Sequence, residues 1–85
     1  MNFLEYTIEV PINEESEKRT TEIMNLIKEG KCCFNLVRYM DDEENDKKVR
    51  TFIITSYSNI TQILYQLFNG LLAKYTCYIK TPVNM

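Results

Sequence analysis

The sequence has no histidine and no tryptophan, two glycines, two prolines and a single alanine. Without histidine there is no histidine-based catalytic triad and no histidine-ligated metal. Gly30 and Gly70 stand too far apart to build a glycine-rich phosphate loop. Long apolar runs are missing too. The most apolar stretch, Ile60 to Leu72, is broken by Gln62, Gln66 and Asn69 and is too short to span a bilayer, so no membrane partner is expected. Met1 to Glu9 carries acids where a secretory leader carries lysines. Cysteines are few and odd in number. Cys32 and Cys33 are neighbours that pair only through a strained ring, and Cys77 stands alone. Reduced thiols used as small apolar residues follow, and with them a cytoplasmic setting, the host cell's cytoplasm if the gene is viral. No cofactor is implied.

What remains is an ordinary globular composition, 45% hydrophobic and 26% charged over 85 residues, which bounds the chain to one domain spanning 1–85. Ile, Asn, Lys and Tyr, all AT-rich in codon usage, supply 30 of the 85 residues. This composition points to a low-GC bacterium, its phage or an AT-rich virus.

Leu4, Tyr6, Ile8 and Val10 alternate with Glu5, Thr7 and Glu9, the period of a half-buried strand ended by Pro11. Asn13 then caps a helix over about 14–29, with Glu14, Glu15 and Glu17 in its first turn and Gly30 as its stop. Its apolar stripe is Ile23, Leu26 and Ile27. Cys32 to Met40 reads as a second strand, Asp41 to Lys48 as a polar connection, and Val49 to Tyr57 as a third strand. Ser58 or Asn59 caps a second helix over about 59–73, Asn59 with Gln62 in a capping-box-like pair. Its apolar face is Ile60, Ile63, Leu64, Leu67, Phe68, Leu71 and Leu72, with Gly70 inside it at a cost of about 1 kcal/mol. Tyr75 to Lys80 reads as a last strand stopped by Pro82. The order β-α-β-β-α-β predicts an α+β ferredoxin-like sandwich, one four-stranded antiparallel sheet with both helices on one face.

Charge is divided along the chain. All 12 acids lie between Glu5 and Asp46, so residues 1–46 sum to −7 and residues 47–85 to +5. The densest acids, Asp41, Asp42, Glu43, Glu44 and Asp46, fall in the predicted connection. They form either a solvated turn or an acidic patch that meets a basic partner. A calcium loop fits poorly, because the acids are consecutive and glycine is absent.

The chemistry hosted by this frame finds little support. An acylphosphatase needs an arginine in the first strand–helix loop, and a metallochaperone domain needs a Cys-x-x-Cys there; Val10 to Glu14 has neither. RNA-recognition domains stack bases on exposed aromatics of the central strands. Phe52, Tyr39 and Tyr78 are candidates, with core packing as the competing assignment. Glu5 and Glu9 on the open face repel phosphates, so direct nucleic-acid binding is not expected. No catalytic group can be assigned.

The second helix is unusual in having no charged residue between Tyr57 and Ala73. Its outward positions, Thr61, Gln62, Tyr65, Gln66 and Asn69, combine charge depletion with a retained aromatic, the composition of an interface core. Tyr65, with Thr61 and Asn69 one turn away on either side, forms the expected binding stripe. The partner is a host protein or a second copy of the chain in a homodimer. The expectation is therefore a non-enzymatic protein–protein interaction module. Small size and acidity suit an inhibitor of a host protein encoded by a phage or mobile element, of the anti-CRISPR or another anti-defence type. The alternative is a small cellular nucleic-acid-associated or regulatory domain.

Overall fold

The computed structural model describes residues 2–81. The elements run β1 (Phe3–Pro11), α1 (Glu14–Lys28), β2 (Asn35–Glu44), β3 (Lys47–Ser56), α2 (Thr61–Leu67) and β4 (Lys74–Lys80). The strands form one sheet in the order β2-β3-β1-β4, every neighbour antiparallel. This is the ferredoxin-like arrangement expected from the element order. Pro82, expected to stop the last strand, lies outside the described residues.

Alternation along β1 decides which face is buried. Tyr6, Ile8 and Val10 lie opposite Ile54, Phe52 and Arg50 of β3, and residues directly opposite share a face. On that face they pack with Ile23 and Ile27 of α1 and with Ile60, Leu64, Phe68 and Leu71 from the α2 region. Both helices therefore cover one side. Phe52 meets Tyr39, and Phe68 meets both Phe52 and Tyr75, in edge-to-face pairs with centroids 5.2–6.4 Å apart. This row ties β2, β3, α2 and β4 into one core. The opposite face of the sheet, with Glu5, Thr7 and Glu9, carries no helix.

The caps of α1 follow the sequence. Asn13 accepts from Ser16 N, and Ser16 Oγ accepts from Asn13 N, a reciprocal box. At the other end Gly30 takes φ +73, and Gly30 N and Lys31 N bond to Ile27 O and Leu26 O. These two bonds make a Schellman stop that needs a residue tolerant of positive φ.

Several expectations need correction. The connection expected at Asp41–Lys48 is largely strand. β2 and β3 continue to Glu44 and Lys47, and only Asn45 and Asp46 turn, at φ 52 and 62. Acids of β2 stand opposite bases of β3 in the ladder's register there, Asp41 opposite Arg50 and Glu43 opposite Lys48, and Asp41 and Arg50 form an ion pair at 2.9 Å. At the other end, the residues from Cys32 to Phe34 are bends, and β2 begins only at Asn35. The second helix, expected to reach residue 73, ends at Leu67. Gly70 is not a helix interior; it sits at φ +82 in the following turn, and Leu72 at φ +55 is 84% exposed. Ile63, expected in the core, is 40% exposed. Asn59 does not pair with Gln62. Its Oδ1 accepts from Thr61 N and Thr61 Oγ1, and Tyr6 Oη accepts from Ile60 N. No helix of the described residues is long and apolar enough to cross a membrane.

Candidate interaction surface

The two edges of the sheet differ. β2 carries a bulge between Leu36 and Arg38 and the acids Asp41, Asp42 and Glu43, devices that discourage another strand from pairing there. β4 has none of them. It is seven residues long, without proline or bulge, and its interior Tyr75–Ile79 is uncharged. Only Tyr75 in it is partly buried.

The reason is the short α2. Tyr75, Cys77 and Ile79 lie opposite Ile8, Tyr6 and Leu4, on the side the helices cover. α2 reaches Tyr75, where the Tyr65 ring packs at 4.5 Å between centroids, tilted by 50°, and Phe68 completes the cluster. Burial beside these rings raises the pKa of the Tyr75 hydroxyl. Cys77 and Ile79 are left open, Ile79 at 68% exposure. Tyr65 keeps 53% of its surface exposed beside Tyr75. The result is a strip of exposed apolar and aromatic side chains along β4 and α2.

On the other face β4 is anchored to β1. Tyr78 Oη donates to Glu5 Oε1, and Lys80 Nζ donates to Glu5 Oε2 at 2.9 Å. These bonds, Tyr78's first, hold the Glu5 carboxyl below the usual carboxylate range although it is only 6% exposed. The same bonds raise Tyr78 and Lys80. Beside them a cleft of about 330 Å³ opens between Phe3, Phe34, Cys33, Tyr57 and the Glu5–Lys80 pair. Both Glu5 oxygens are engaged, so that carboxylate is not free to take a substrate proton. Cys33 is exposed, while burial and the adjacent Cys33 thiol push the Cys32 thiol up. Among the described residues no group of three His, Cys, Asp or Glu side chains gathers to hold a metal.

Of the expected stripe, Thr61, Gln62, Tyr65 and Gln66 share α2, with Gln62, Tyr65 and Gln66 exposed and Thr61 partly buried. Asn69 is separated from them. It lies past the helix end, beside Gly70 and Leu71, and faces Glu15, Lys18, Arg19 and Glu22 of α1. The acids expected as one patch are also divided. Asp41 is a bidentate partner of Arg50, at 2.9 and 3.1 Å, and those bonds lower its pKa. Asp42 and Glu43 stand on β2 opposite Val49 and Lys48, Glu44 stands opposite Lys47, and Asp46 is in the turn. Phe52 is core, Tyr39 packs against it at the core's rim, and Tyr78 lies on the open face.

The contribution of β4 was not read from the sequence. Tyr75–Ile79 signals a strand, but only the strand order makes it an edge, and only the early end of α2 uncovers Ile79. No family model matches the sequence, and no curated protein does. Among solved structures the chain is similar to the de novo designed protein Foldit4, with a TM-score of 0.55 and 12% identity, covering 96% of this chain and 98% of that one. It is also similar to LarC2, the C-terminal domain of a cyclometallase involved in the synthesis of the NPN cofactor of lactate racemase, in its apo form. There the TM-score is 0.55 and the identity 11%, over 95% of this chain but 58% of that one. At such identities the likeness is one of fold.

Proposed function

We propose that the chain is a non-enzymatic protein–protein interaction module that meets its partner through the α2–β4 side. The observation that carries this reading is the open β4 edge, uncharged from Tyr75 to Ile79, with Ile79 exposed and half-exposed Tyr65 packed against Tyr75 beside it. Unpaired backbone groups supply directional bonds, and the adjacent aromatic and aliphatic side chains supply the anchor. Inhibition of a host protein, encoded by a phage or mobile element and including anti-CRISPR activity, is the use of this surface that small size, acidity and AT-rich codon usage favour. Exposed thiols at Cys33 and Cys77 suit a reducing cytoplasm.

The test is capture from lysate with three baits: the parent chain, Tyr65→Glu and Ile79→Lys. One stoichiometric partner, a lysate protein or a second copy of the chain, held by the parent and lost by both variants is expected. A loss of about 2 kcal/mol marks a hot spot and weakens binding roughly thirtyfold. Retention of nucleic acid that falls with salt, and that neither substitution changes, speaks for a nucleic-acid-associated domain instead.

A further inference from the structure

We propose that β4 pairs with β4 of a second copy of this chain, antiparallel about a two-fold axis at Cys77, so that two four-stranded sheets join into one of eight strands. The proposal rests on the interaction reading above and names the partner.

Symmetry restricts the register. A two-fold axis perpendicular to the sheet keeps the helix-covered faces on the same side, so it falls on a residue and not between two. Cys77 is the middle residue of Lys74–Lys80, and only this centre lets the whole strand find a partner. It sets Cys77 opposite its own copy, Thr76 opposite Tyr78, Tyr75 opposite Ile79 and Lys74 opposite Lys80.

The side chains fit that register. On the helix-covered face, the exposed Ile79 of each copy comes against Tyr75 of the other, already packed against Tyr65. Two such contacts cover the open apolar strip that α2 leaves. On the other face the threonine hydroxyl and methyl lie beside the Tyr78 ring. At the ends, lysine meets lysine, and each brings its own acid: Glu5 bonds Lys80 at 2.9 Å, and Glu9 is opposite Lys74 on β1. The repulsion of like charges is thereby offset within each copy.

The same logic disfavours β4 pairing with β2 of another copy. That contact is head-to-tail and grows an open filament, and the bulge and acids of β2 oppose it.

The experiment measures mass by light scattering in reducing buffer, for the parent and for Ile79→Lys, with thermal unfolding of both. The parent is expected at twice the 10.1 kDa of one chain at high micromolar concentration. Ile79→Lys is expected at the single mass, cooperatively folded, with an unfolding midpoint independent of protein concentration, whereas the parent's midpoint rises with concentration as the dimer forms. In parallel, a chain carrying Cys32→Ser and Cys33→Ser is oxidised with copper–phenanthroline, which takes two electrons and two protons from the Cys77 thiols. A covalent dimer through Cys77 is expected, formed at least roughly tenfold faster than in the Ile79→Lys background, where proximity is lost.

A dimer that survives Ile79→Lys and yields no Cys77 cross-link overturns the proposal, because another surface then joins the copies. A single mass for the parent also overturns it. If a lysate protein is still held through Tyr65 and Ile79, the interaction reading stands with a different partner. If nothing is held, both fall.

Discussion

Arg50 sits 6% exposed where β3 passes α1. Its Nε and Nη2 donate to the two oxygens of Asp41, its Nη1 donates to Thr20 Oγ1 at 2.8 Å, and its guanidinium lies 5.1 Å from the Tyr39 ring centre. Three elements are thus joined through one planar fork. Arg50→Met keeps the apolar stem but removes the fork, and is expected to cost about 1–2 kcal/mol in denaturant unfolding. Arg50→Lys is expected to recover little, since one ammonium cannot reach Asp41 bidentately and Thr20 together. The carboxylates carry a pH signature. Glu5 and Asp41 both have folded pKa values lowered, chiefly by bonds from Tyr78 and Arg50 respectively. Their contribution is therefore present above the unfolded carboxylate pKa and lost as pH falls through the lowered folded values. The unfolding midpoint is expected to drop on that acid limb, and Glu5→Gln should make the drop shallower. Neither cluster was legible in the sequence. Asp41 reads there as one of five neighbouring acids, and Glu5 as a residue facing solvent. Their partners, nine and 75 positions away, become neighbours only through register.

At the scale of elements, local chemistry was legible where it is self-contained. Asn13 and Gly30 mark the ends of α1 because a cap needs only the residues beside it. α2 has no acid in its first turn and no base in its last, so packing alone sets its length. Gly70 reads equally as an interior residue or a stop, and the backbone at φ +82 makes it part of the turn. A methyl there meets nothing within 4 Å, so the cost of Gly70→Ala is purely conformational, about 1 kcal/mol, measurable as a lower unfolding free energy. The strand extension through Asp42, Glu43 and Lys48 was hidden for a different reason. It lacks the apolar alternation that announces a strand, and its acids and bases come opposite one another only through the register of the ladder. In the turn, Asn45 and Asp46 both have positive φ, the two-residue form that favours glycine at its second position. Asp46→Gly is expected to raise stability by about 0.5–1 kcal/mol, read as a higher midpoint of thermal unfolding.

For the whole molecule, the element order and the alternating residues of β1 were enough to place the sheet and both helices. The row of rings from Tyr39 through Phe52 and Phe68 to Tyr75 holds the parts together. Phe68→Ala is expected to cost about 3–4 kcal/mol in denaturant unfolding, with β4 losing amide protection first. The strand order has one more consequence. Reading β2-β3-β1-β4 across the sheet, strands from before and after the Asn45–Asp46 turn alternate, so every ladder joins one half of the chain to the other. A protein cut between Asp46 and Lys47 becomes two peptides, one of net charge −7 and one of +5. Neither peptide contains a pair of strands that are neighbours in the sheet. Each alone should be unstructured, and mixed they should knit into the native sheet like the teeth of a zip, quickly at low ionic strength and slowly in salt.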